Sequence, residues 1–330
     1  MTLYSFLRMR PSARPLLIFL CLLSLLVAGC GSLSEDSSRP APSAAEFPSA
    51  KGKTIAELLR TSGAKPAKIV IAPAGRVFDL GENRYSFGVF TRGNEQVDDA
   101  DVALYFAKDE NRGPVVGPLP AQVTSLEVKP AYRGAGEDPD QAKNVYVVPK
   151  VDFDRKGPWV AIAMLKGPGG LEASRVPSPV VGGNSVPQVG ERAPLIHTPT
   201  AADAGGDLAK IDTRVPHDQM HQVDFADVLG KQPIVLVFAT PALCQSRVCG
   251  PVVHVAQQVA DEYKDKADFI HMEVYNDNDL AKGIRPQLRA YHLPSEPWTF
   301  LIDRDGIIRN RIEGAYGVPE LEAAMRSIAP

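Results

Sequence analysis

Between residues 65 and 181 apolar and polar positions alternate with a period of two. Tyr85, Phe87 and Val89 are interleaved with Arg84, Ser86, Gly88 and Phe90, and the pattern returns at Val102, Leu104 and Phe106, at Val145 and Val147, and at Val160, Ile162 and Met164. That is the period of strands with one buried face. Turn formers separate the runs, among them Gly81-Glu82-Asn83, Gly93-Asn94 and Gly134-Ala135-Gly136-Glu137-Asp138-Pro139, with no useful helical run between them. After Pro177-Ser178-Pro179 and Gly182-Gly183-Asn184-Ser185 the pattern changes. Residues 233–239 are continuously apolar, as a strand covered on both faces requires. Residues 251–265 place Val252, Val255, Ala256, Val259 and Tyr263 on one face of a helix. Residues 267–275 and 298–302 read as further buried strands, Asp305-Gly306 as a hairpin turn into 307–312, and 319–328 as a closing helix.

The N-terminus has a different pattern again. Behind Arg8, Arg10 and Arg14 lies an apolar run at residues 16–27, too short to span a bilayer core of about 30 Å as a helix of about 20 residues. It has the form of a signal-peptide h-region and ends in Val27-Ala28-Gly29-Cys30, which resembles the bacterial lipobox. The resemblance implies a lipoprotein signal peptide at 1–29, a diacylated Cys30 as the mature N-terminus, and attachment to the extracytoplasmic face of a cell membrane. Residues 31–53, with Ser34-Glu35-Asp36-Ser37-Ser38-Arg39-Pro40-Ala41-Pro42, carry few apolar groups and repeated prolines. They are expected to form a flexible tether. Thr54 and Glu57 suggest a capping box opening a short helix that Gly63 would stop, so the tether with its helix covers 30–64.

Composition narrows the function classes. The 330 residues are 44% hydrophobic and 23% charged, ordinary globular values, and the formal net charge is -3. No basic surplus exists for a phosphate backbone, which argues against nucleic acid as a partner. Six or seven short strands over 65–181 resemble an immunoglobulin-like β-sandwich that lacks the usual cysteine pair. That stretch contains neither Cys nor His, so it reads as a binding, positioning or spacer module. A linker at 182–192 leads to a second domain at 193–330.

The order of elements in the second domain resembles the thioredoxin fold, with a strand-cysteine-helix element in a βαβ setting. Val189-Gly190-Glu191-Arg192-Ala193-Pro194 is similar to the opening of the redoxin branch, whose members include membrane-anchored thiol-disulfide oxidoreductases of cytochrome maturation. Glu296-Pro297-Trp298-Thr299-Phe300-Leu301-Ile302 is similar to the segment that carries that family's cis-proline, which implies that Pro297 faces the cysteines. The family's Cys-x-x-Cys is replaced here by Cys244-Gln245-Ser246-Arg247-Val248-Cys249. Residues five apart in a regular helix lie roughly 8–9 Å apart, beyond the roughly 7 Å limit for a disulfide, so Cys244 belongs on the loop before the helix. Cys249 falls on the apolar helix face. Cys244 is therefore the expected nucleophile and Cys249 the resolving thiol, with the helix N-terminus and Arg247 favouring thiolate. No cofactor is expected, and the expected partners are client protein thiols or disulfides.

Two other readings of the same residues stay open. A static Cys244–Cys249 bridge would suit an oxidising compartment and a non-enzymatic binding or assembly lipoprotein. Copper delivery is the other: His217, Met220 and His221 offer imidazole and thioether ligands beside the thiols, and the domain is distantly similar to the Sco copper chaperones. His254 and His271 read as structural histidines.

Overall fold

The alternating half of the chain folds as two sheets facing each other across a core. Their strands are β1 (Lys65–Pro66), β2 (Ile69–Pro73), β3 (Gly81–Thr91), β4 (Asp101–Ala107), β5 (Val116–Pro120), β6 (Gln122–Ser125), β7 (Asn144–Phe153), β8 (Gly157–Pro158), β9 (Val160–Gly167), β10 (Gly170–Val176) and β11 (Val180–Val181). One sheet has the order β1-β10-β9-β4-β5 and the other β2-β3-β7-β6, while β8 and β11 pair separately. All pairings are antiparallel except β1 with β10. The computed structural model describes residues 38–135, 141–167, 169–244 and 246–329. The apolar run, Cys30 and the first part of the expected tether lie outside the described residues. Among the described residues no helix is long and apolar enough to cross a membrane.

Strict alternation understates how buried these strands are. On β4, Val102, Leu104 and Phe106 face the sandwich core, while Ala103, Tyr105 and Ala107 are equally buried on the opposite face with Ile162 and Met164 of β9. That second face is covered by the segment expected to be a tether. Arg39 pairs with Val123 through two backbone hydrogen bonds of 2.8 and 2.9 Å at the β6 edge, and Phe47 and Ala50 are buried over β4 and β9 beside Ile55 and Leu58. The flexible-tether expectation therefore fails from residue 38 onward. Its few apolar residues are enough because they meet an apolar sheet face that is already formed. The helix α1 (Ile55–Ser62) has the capping box: the Thr54 hydroxyl accepts the Glu57 N–H at 3.2 Å, the Glu57 carboxylate accepts the Thr54 N–H at 3.0 Å, and Gly63 ends the helix at φ +69°.

The second half builds β12 (Ile234–Phe238), α3 (Cys249–Tyr263), β13 (Asp268–Met272), α4 (Pro286–Ala290), β14 (Trp298–Ile302), β15 (Ile308–Glu313) and α5 (Val318–Met325), preceded by the short α2 (Phe225–Val228). The sheet order is β13-β12-β14-β15, with β12 parallel to β13 and antiparallel to β14. A βαβ unit followed by an antiparallel hairpin and a helix is a thioredoxin-like arrangement. One face of this sheet packs on α3 and α5 and the other on Phe225, Leu288, Tyr291 and Leu293, which is why β12 and β14 read as unbroken apolar runs.

The two halves share a core. Leu126 and Val128, just past β6, and Val145 and Val147 of β7 are buried with α3 and α5. The Arg84 guanidinium donates to the Ala315 carbonyl at 2.6 Å and to both Glu320 carboxylate oxygens, and the Glu313 carboxylate accepts the N–H groups of Arg76 and Val77 at 2.9 Å. Gly314, at φ +81°, lies where a Cβ would collide with the Ala74 carbonyl, so backbone meets backbone there. The expected linker is packed as well: Val186 is buried against the thioredoxin-like sheet, and the Gly190 N–H donates to Ile308.

Candidate functional site

The continuous strand β12 ends at Phe238, and the chain then crosses a loop to the first residue of α3, which is Cys249. This places Cys249 among the unpaired N–H groups of a helix N-terminus, fully buried, while Cys244 sits on the loop and stays partly exposed. The two sulfurs are joined, with the Cα atoms 5.9 Å apart, inside the usual span of a disulfide. The Ser246 hydroxyl lies 3.1 Å from the Cys244 sulfur. Arg247 holds a left-handed backbone at φ +63°, and its carbonyl accepts the Ala142 N–H of the sandwich at 3.0 Å. The β-sandwich thus fixes one side of the cysteine loop.

Two clefts meet at this loop. One, of about 340 Å³, holds Cys244 with Gln141, Thr213, Arg214, Arg247 and His254. Burial and the Arg214 guanidinium hold His254 down to about 4, so its ring is neutral near pH 7. The other, of about 540 Å³, runs between the sandwich residues Val70 and Phe90 and the residues Arg247, Val248, Tyr275 and Glu296. The Glu296–Pro297 peptide is cis, and the Pro297 carbonyl accepts the Gly314 N–H at 2.9 Å.

Sequence reasoning missed Glu296. Its carboxyl lies 3.7 Å from the Cys249 sulfur. A disulfide sulfur has no proton to give, so a hydrogen bond there runs from a protonated carboxyl. Burial, with the Glu273 carboxylate as a second cause, pushes Glu296 up to about 8, against the opposing N–H of Thr240 and hydroxyl of Tyr275. The only signal in the sequence was an acid next to the family-like proline.

Of the proposed copper ligands, His217 and His221 both approach Asp212 Oδ2, at 3.5 and 3.7 Å. Met220 is buried among apolar core residues, and His217 is exposed. His221 joins Asp212, Asp218 and His271 in a buried cluster behind the cysteine loop. His271 Nδ1 lies 2.7 Å from Asp218, and its Nε2 lies 3.0 Å from the Ala239 carbonyl. Burial disfavours its charged form, but Asp218, Asp212 and Glu273 outweigh that and hold it at about 10. Burial likewise opposes the ionisation of Asp212, yet the neighbouring imidazoles and the N–H groups of Arg214 and Asp218 carry it below the usual carboxylate range. Ten residues from Asp212 to His221 carrying two acids and two histidines were the readable signal.

No protein-family model matches the chain, and no curated protein matches it. Among solved structures it is similar to one described as a thiol:disulfide interchange protein DsbE from Chlorobium tepidum, at 19% identity and a TM-score of 0.31, over 43% of this chain and 98% of that one. The thioredoxin-like character of the second half stands on the chain's own sheet order and on the cysteine-bearing helix start.

Proposed function

We propose that this chain is a thiol-disulfide oxidoreductase, anchored through an acylated Cys30 on the extracytoplasmic face of a cell membrane and acting on client protein thiols or disulfides. The observation that carries the reading is the joined pair itself. One sulfur is at a helix N-terminus, 3.7 Å from the carboxyl of half-buried Glu296, which precedes a cis-proline, and the other lines a cleft. In the reducing direction the Cys244 thiolate attacks a client disulfide; that S–S bond breaks and one client sulfur leaves as thiolate. Cys249 gives its proton to the Glu296 carboxylate and attacks the Cys244 sulfur. The second client thiolate departs, and the Cys244–Cys249 bond closes with two electrons passed to the client. The oxidising direction is the reverse sequence.

The sandwich's strand orders, β2-β3-β7-β6 and β10-β9-β4-β5, support an immunoglobulin-like reading of that half, since they follow the A-B-E-D and G-F-C-C′ arrangement. Its place in the function is to wall the larger cleft with Val70 and Phe90, where a client segment would lie. A redox titration of the purified chain tests the proposal. An exchange catalyst has a potential well above about -300 mV, whereas a value below that marks a static bridge and ends the catalytic reading.

A further inference from the structure

We infer that Asp212, Asp218, His221 and His271 form a closed binding site for a divalent cation of the zinc class, independent of the disulfide chemistry. One ligand atom from each residue lies within 4.8 Å of all the others, and all four residues are buried. His221 supplies the second observation. It is 1% exposed, and neither ring nitrogen has a hydrogen-bond partner. Burying an imidazole without hydrogen bonds is costly, so a ligand that engages its nitrogens is expected to compensate.

Its surroundings indicate what. His221 Nε2 lies 3.4 Å from Asp218 Oδ1 and 3.7 Å from Asp212 Oδ2, too far for good hydrogen bonds. Those are the separations of atoms that share a tetrahedral ion: bonds of about 2.1 Å place neighbouring ligands about 3.4 Å apart. The outer contacts also fit. His271 Nε2 points its proton at the Ala239 carbonyl, leaving Nδ1 toward the centre. Asp212 is held by the N–H groups of Arg214 and Asp218 at 2.8 and 2.7 Å, and Asp218 by that of Met220 at 2.8 Å. Partners of this kind orient metal ligands.

Two imidazoles and two carboxylates with no open position suit a structural ion rather than a catalytic one. Binding would send the proton held between His271 and Asp218 to solvent. The ion would tie residues 212–221 to β13 and to the end of β12, where the cysteine loop begins. Thr213, next to Asp212, already accepts the Ala242 N–H of that loop at 3.1 Å.

The test uses the untagged full chain in detergent, stripped with chelator and kept oxidised so that no thiolate competes. Zinc alone is added, and metal is counted by mass spectrometry after gel filtration. One zinc per chain with a raised melting temperature is expected, and His221→Ala should weaken binding by more than about 100-fold, beyond the range for a lost outer partner. Substoichiometric zinc, or unchanged binding in His221→Ala, overturns the inference. Should that variant not fold, cobalt absorption of the wild type decides. Intense four-coordinate bands without a thiolate charge-transfer band support the site; weak six-coordinate bands, or sulfur bands, overturn it.

Discussion

Half-buried Glu296 and buried Asp212 stand on two sides of the cysteine loop, and burial alone does not determine how they titrate. On the α3 side Glu296 has Glu273 as a like-charged neighbour and few donors, and it is pushed up to about 8. Behind the loop Asp212 is more fully buried than Glu296, yet backbone N–H groups and imidazoles carry it below the usual carboxylate range. The difference lies in the donors each fold element supplies: the chain around Asp212 turns its amides onto the carboxylate, whereas Glu296 shares its place with another acid. One side can therefore exchange a proton near neutral pH, and the other is committed to its negative charge.

The largest expected effect separates the sulfurs beside Glu296. Cys249→Ser should abolish turnover and accumulate mixed disulfides between Cys244 and clients on non-reducing gels, while Cys244→Ser traps far fewer. Capture mainly by Cys249 would reverse the assigned roles. On the other side, Asp218→Asn leaves the His271 charge without its close partner. It should cost about 3–5 kcal/mol in urea unfolding of the oxidised, chelator-stripped chain, the range for breaking a buried ion pair. A loss under 1 kcal/mol would mean that the contact between Asp218 and His271 does not act as a buried ion pair.

The third prediction concerns pH. Glu296 has a folded value of about 8 against 4.5 when unfolded, so between those values the folded state binds the extra proton and stability falls as pH rises. The loss across pH 5–8 should be on the order of 2–4 kcal/mol, and Glu296→Gln should flatten it. The same variant should remove an inflection near 8 from the rate of Cys249 attack on the mixed disulfide, measured by stopped-flow quench. A slope that survives in Glu296→Gln would assign it to another group. The smallest effect is that of Arg247→Ala, which should raise the Cys244 thiol pKa by up to about 1 unit in alkylation kinetics of the reduced chain. A fall would show that Arg247 does not face the thiolate.

Much of the second half was legible because its signals are local. The apolar run of β12 and the helix face of α3 fixed where the loop must lie, and the spacing of the cysteines placed Cys244 on it. Glu296 was not legible, because its contact with Cys249 joins residues 47 apart in sequence. Asp212 and Asp218 stood in a readable acid and histidine stretch, but their pairing was hidden for the same reason: their partner His271 arrives from β13. The packing of residues 38–53 could have been read from the other end. The run Val102-Ala103-Leu104-Tyr105-Phe106-Ala107 is apolar on both faces, so β4 needed a second cover that alternation did not reveal.

That cover sets a working radius. If Cys30 is held in lipid as proposed, eight residue steps separate it from Ser38, whose hydroxyl accepts the Ser125 N–H at 2.9 Å at the β6 edge. Eight residues reach at most about 30 Å, against roughly 80 Å for a tether running to Lys53. An oxidoreductase anchored in the proposed way would work in the layer of solution next to the bilayer. Its encounter rate would then be set by which clients enter that layer, and much less by the concentration of proteins in the bulk.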